Sequence, residues 1–142
     1  MIRTNTDCTI YNRYENASTG KVEFRRKYVP AVFWEPRKGA SITERGTAAA
    51  DALTVYIPYD ASGYVGARTY AGKAAAVVGM MWTLAAGEDY IVKGDVLRSK
   101  QVLTEDEMKS LKKKNRECYK ITTVDDKMFG SWRMWHWEVG AK

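Results

Sequence analysis

Few residues in this chain have side chains suited to chemistry. There is one histidine, His136, and there are two cysteines, Cys8 and Cys118. In the stretch from Trp135 to Val139 a period of two puts Trp135, Trp137 and Val139 on one face and His136 with Glu138 on the other. An imidazole beside a carboxylate suits proton transfer, but catalysis also needs a nucleophile or a metal set within reach. None accompanies them in sequence, so the pair reads as a surface hydrogen bond. Cys8 and Cys118 have no CxxC partner and stand near opposite ends of the chain, which supports neither a zinc site nor a disulfide framework. Both lie in alternating apolar patterns, where a reduced thiol packs as a small hydrophobe. The phosphate-binding patterns GxGxxG and GxxxxGK[ST] are absent. The expectation is a protein that is not an enzyme and takes no metal and no cofactor.

The elements that would position these residues are mostly strands. At 142 residues the chain is expected to form a single domain, residues 1–142, large enough for a core without covalent staples. Five Trp and nine Tyr against three Phe point to rings placed at a core margin or an interface, where a polar handle is useful. Lys and Arg exceed Asp and Glu by 23 − 17 = 6, and the excess is spread along the chain. This balance permits contact with nucleic acid or an acidic surface without requiring either. No apolar stretch is long enough to span a membrane, and residues 1–11 lack the apolar core of a secretory signal. A soluble protein made in a reducing compartment is expected.

Residues 8–11 and 21–28 predict a hairpin across the turn cluster Asn16-Ala-Ser-Thr-Gly20. Pro30 predicts a break, after which residues 31–35 are an edge strand or follow a corner. In residues 52–59, Leu53, Val55 and Ile57 alternate inward against Thr54 and Tyr56. Residues 89–96 predict a strand with a glycine turn, and residues 119–123 and 135–139 the last two strands. Asp125, Asp126 and Gly130 supply the turn between them, and Trp135 and Trp137 are expected in the core. Residues 104–115 form the one clear helix. Thr104 and Glu107 make a capping box, acids fill the first turn and lysines the last. Residues 59–87 are rich in Ala and Gly and predict a long protruding loop, with a short helix over 73–81 as the alternative. Basic side chains cluster at Arg25 and Lys27 on one strand and at Lys112, Lys113 and Lys114 on the helix. Together these give an all-β fold, a small barrel or sandwich of about six to eight strands with a long inserted loop and one short peripheral helix. A barrel of the oligonucleotide-binding kind is an alternative that the basic charge and rings allow.

The order of pieces resembles a family of minor structural proteins of tailed phages and prophages of Gram-positive bacteria. The pieces that carry the resemblance are DCTIYN, the W-x-x-x-K-G-A of Trp34 to Ala40, LTVYIP, IVKGDV and the terminal HWEVG. More distantly the layout is similar to head-closure, or stopper, proteins of the head–tail connector. The resemblance implies a virion protein assembled as a homo-oligomeric ring between the portal-bound adaptor and the tail-terminator or tail-tube proteins. Non-specific contact with DNA in the channel and no membrane association are also implied. A tail terminator or a capsid-associated minor protein is the neighbouring alternative. By the same resemblance the 59–87 loop would face the channel or a neighbouring subunit, making Tyr64, Arg68, Tyr70, Lys73, Met80, Met81 and Trp82 the expected interface. Residues 40–50, low in polarity, are a second expected contact.

Overall fold

The computed structural model describes residues 3–36, 52–60 and 62–142. Among these lie seven strands: β1 (Thr6–Asn16), β2 (Lys21–Pro36), β3 (Leu53–Pro58), β4 (Tyr90–Lys93), β5 (Val102–Thr104), β6 (Cys118–Lys127) and β7 (His136–Ala141). All pairings are antiparallel. The order β1-β4-β6-β7-β3-β2 closes because β1 also pairs with β2, and β5 adds a seventh strand to the outside of β2. The protein is therefore an all-β small barrel, as the alternation predicts. Closure leaves few free strand edges exposed to other chains. The expected contact over residues 40–50 lies outside the described residues.

The inward faces supply the core. Cys8 and Ile10 of β1, Leu53, Val55 and Ile57 of β3, Ile91 of β4, Ile121 of β6 and Trp137, Val139 and Ala141 of β7 are all buried together. Trp135 departs from its expected place there. It precedes β7, after a 3₁₀ turn over Trp132–Met134 that breaks the period of two and leaves its ring only half-buried. Asp125 and Asp126 also differ from expectation, since they lie within β6 rather than in the turn.

Pro30 does not end a strand. Cys8 pairs with Val29 and Thr6 with Val32, so β2 carries one extra residue at the proline. A residue without an N–H is tolerated at such a bulge because its ladder position is already vacated. The extra residue also switches the inward parity. Phe24 faces the outside of the barrel, whereas Val32 and Trp34 face its core.

Helix α3 is the expected one, with Thr104 as cap and ten helical residues, Glu105–Lys114. Both halves of the capping box form: Glu107 N donates to Thr104 Oγ1 and Thr104 N to Glu107 Oε1. Met108 is its buried residue. It joins Tyr11, Phe24, Val92, Leu103 and Cys118 in a second cluster on the outer wall, beneath α3 and β5.

Residues 62–85 fold back onto the barrel, which corrects the expectation of a protruding loop. They contain two short helices, α1 (Ala67–Ala71) and α2 (Ala75–Val78), so α3 is not the sole helix. Tyr70 and Val78 pack on Tyr14, while Trp82 and Leu84 enter the barrel core. The reason is burial: four large apolar side chains left in water would each forgo about 1.5–3 kcal/mol. Glycines permit the required path. Gly63 has φ of +73°, and a Cβ there would lie 2.9 Å from the Met80 carbonyl oxygen. Polar groups fasten the segment. The Asn12 amide donates to Thr83 O at 2.7 Å and accepts from Thr83 N at 3.1 Å. Asp89 accepts from Asn12 Nδ2, Ala85 N and Arg13 N at 2.8–2.9 Å.

Candidate functional site

The sequence-level candidates for chemistry are not assembled into a reacting set. His136 opens β7, and its Nδ1 lies 2.8 Å from Met134 O. Glu138 pairs instead with Lys127 at 3.7 Å, so the expected contact between the two is replaced by one across the β6–β7 ladder. Burial pushes both thiols away from the reactive thiolate. Cys8 is raised by desolvation and by nearby Asp7, and Cys118 is raised to about 11 by desolvation, against a smaller opposing effect of Lys112. Among the described residues no group of three or more His, Cys, Asp or Glu is placed to hold a metal ion. Desolvation pushes Asp89 up to about 7, with its three N–H donors acting the other way. Those bonds make it a fastening of the fold.

The expected interface residues of the 59–87 segment fall into three kinds. Tyr70 and Trp82 are buried and serve the core. Trp82 Nε1 donates to Ser62 O at 2.9 Å, and the Tyr70 ring meets Tyr14 edge-on. Tyr64 and Met81 are half-buried, Tyr64 sandwiched against Trp82 and Trp137, and Lys73 offers its carbonyl to Tyr14 Oη at 2.6 Å. Only Arg68 and Met80 are exposed, Met80 by 84%.

The basic side chains also divide. Arg25 pairs with Glu23 at 2.8 Å and lies over the Tyr14 ring, and Lys27 lies over Trp82. Both point toward the folded-back segment rather than forming an open basic surface, because the strand face they share is the one 62–85 covers. Lys112 donates to Cys118 O at 3.0 Å, while Lys113 and Lys114 stand in solvent at the end of α3.

The unexplained surface is elsewhere, in the β6–β7 connection. Phe129 is 72% exposed and Trp132 69%; Met134 and Tyr59 are exposed as well, and Trp135 is half-buried. Gly130, at φ of +74°, turns the chain out of β6, and the 3₁₀ turn is closed by Met134 N donating to Ser131 O at 2.9 Å. Tyr59 N donates to Trp135 O at 2.9 Å, bringing the two rings to 5.7 Å, edge to face. A groove of about 400 Å³ runs between Pro58, Tyr59, Trp132, Arg133 and Trp135, and the Arg133 guanidinium lies over the Trp132 ring. A second, apolar groove of about 330 Å³ lies between Arg3, Phe33 of β2, Tyr56 of β3 and His136 of β7.

This arrangement can bury rings and present a stacked guanidinium. Contiguous exposed aromatics on a folded domain mark an interaction site, and Trp, Tyr, Phe, Met and Arg are the residue types enriched at protein interfaces. The signal was present in the sequence. MFGSWRMW is too apolar for a plain turn, yet Asp125 and Asp126 before it and Gly130 within it favour reading it as one.

Among the described residues no helix is long and apolar enough to cross a membrane. The profile of a family described as a family of unknown function, DUF6751, matches residues 3–142. No curated protein and no solved structure matches the chain.

Proposed function

The chain belongs to the DUF6751 family, and from that premise and the surface just described we propose that it is a structural subunit acting through assembly. Its specific role in this reading is a head-closure ring subunit of a tailed-phage particle, located in the virion between the portal–adaptor complex and the tail. The sequence resemblance supplies the place. The observation that carries the assembly reading is the exposure of Phe129, Trp132, Met134 and Tyr59, apolar surface that gains from being covered. A closed small barrel suits the task, since its paired strands β6 and β7 fix both ends of the connection that carries the rings.

The interface in this reading shifts from the 62–85 segment to the β6–β7 connection. Nucleic-acid binding by the rings is disfavoured by their surroundings. Asp60 adjoins Tyr59 in the chain and Asp125 and Asp126 precede the connection on β6, all three exposed, and carboxylates repel a phosphate backbone.

Electron cryomicroscopy of the intact particle's neck tests the proposal. A ring of this barrel beneath the adaptor, with the 128–135 connection at a subunit boundary, is the expected result. A ring capping the tail tube would move the role to tail termination. Absence of the chain from the particle refutes the virion reading.

A further inference from the structure

The two ends of β6 differ in charge and in surface chemistry. At the Cys118 end stand Lys112, Lys113 and Lys114 from the last turn of α3, with Arg116 and, from the end of β4, Lys93. Lys93 N donates to Glu117 O at 3.1 Å, which fixes β4 against this corner, and Glu117 is the carboxylate set among these cations. Beneath the ammonium groups lies ring surface: Lys112 Nζ sits 5.8 Å from the Tyr119 ring centroid. At the Lys127 end stand the exposed rings, and the exposed carboxylates at this end are Asp125 and Asp126, on opposite faces of β6 just before the connection, and Asp60, next to Tyr59 in the chain. There Arg133 is held over Trp132, and Lys127 is paired with Glu138. A ten-residue strand at about 3.3 Å per residue separates the ends by about 30 Å.

We propose that copies of this chain join head to tail, the acidic, aromatic end of one seated on the basic end of the next. The inference rests on the ring-subunit reading and deepens it by assigning the contact. The rings supply the apolar area to be covered. Lysine stems and the Tyr119 ring offer apolar surface to receive them, with the charged heads remaining in water. The opposed charges set direction and register and discourage the kind of two-fold dimer in which like ends meet. A contact between two different surfaces on opposite ends of one strand repeats, and repetition closes into a ring or runs on as a chain.

Charge exchange tests the contact. One variant carries Lys113→Glu, Lys114→Glu and Arg116→Glu; the other carries Asp60→Lys, Asp125→Lys and Asp126→Lys. All six positions are exposed, and thermal melting checks that each variant stays folded. Sedimentation velocity over a concentration series should show the wild type self-associating and each variant alone associating at least about tenfold more weakly, because like charges then face each other. Mixing the variants should restore assembly, since each retains one native end and the two altered ends are again opposite in sign. A wild type that remains monomeric throughout the series, variants that assemble alone as the wild type does, or a mixture that stays dissociated would each overturn the contact. These outcomes are separable from the particle test. Rings in the neck with no effect of charge exchange leave the ring reading standing without this contact; restored assembly by a chain absent from the particle leaves the contact standing without the virion role.

Discussion

Trp137 is where the barrel interior, the rim and the folded-back segment meet, and Trp137→Ala is the sharpest test of how they are held together. The side chain is 1% exposed, and its ring centroid lies 4.5 Å from Tyr64, 5.2 Å from Tyr59 and 5.3 Å from Trp82. Deleting a buried tryptophan costs about 3–5 kcal/mol in lost transfer energy and cavity. Each ring pair adds about 0.5–1.5 kcal/mol. The three pairs share one ring and do not sum, so the expected loss is about 5 kcal/mol. Domains of this kind have about 5–15 kcal/mol in all, which puts the variant near the edge of folding. Urea unfolding followed by far-ultraviolet circular dichroism measures it without relying on the tryptophan signal being changed. Trp137→Phe keeps a ring against Tyr64 and should lose about half as much. If Trp137→Ala loses less than about 2 kcal/mol with an unchanged denaturant slope, the ring cluster is not what holds the 62–85 segment to the barrel.

Three further outcomes follow from single sites. The raised Asp89 carboxyl, near 7 in the fold against about 3.8 in the open chain, lets the native state hold a proton that the unfolded chain has released. Its contribution is therefore present below about pH 4 and lost as the pH rises through about 7, a change of about 4 kcal/mol at most. Urea midpoints across that window should fall with rising pH, and Asp89→Asn should flatten the trend while lowering stability overall, since its NH₂ would face N–H donors. Gly63→Ala forces a side chain into positive φ against the Met80 carbonyl and should cost about 1–3 kcal/mol. Gly20→Ala, at φ of +68° with nothing within 4 Å, should cost less in the same melting assay. Thr104→Ala removes the α3 cap and should cost about 1 kcal/mol, lowering the thermal midpoint without changing β-sheet circular dichroism.

The sequence by itself determined what depends on neighbours within a few positions. The period of two in Leu53-Thr-Val-Tyr-Ile57 and in Trp135 to Val139 set which side chains would be inside, and Leu53, Val55, Ile57, Trp137 and Val139 lie in the core as that period requires, while Trp135 does not. Thr104 and Glu107, three apart with acids before and lysines after, set the start and direction of α3. Composition made a small all-β domain the natural outcome. What only the tertiary structure decided were the places where one residue's fate depends on a distant one. The extra residue at Pro30 is visible only when β1 is laid beside β2, and it reverses the inward face of the strand's second half. Residues 62–85 look like a loose loop, because their glycines forbid a long helix, and their few large side chains find no mates nearby in sequence. Asn12, Tyr14 and Trp137, some 50 or more positions from the residues they hold, supply those mates. The same partnership removed Tyr70, Trp82, Arg25 and Lys27 from the surface, and it left the rings of 129–134, for which the barrel has no room, facing outward.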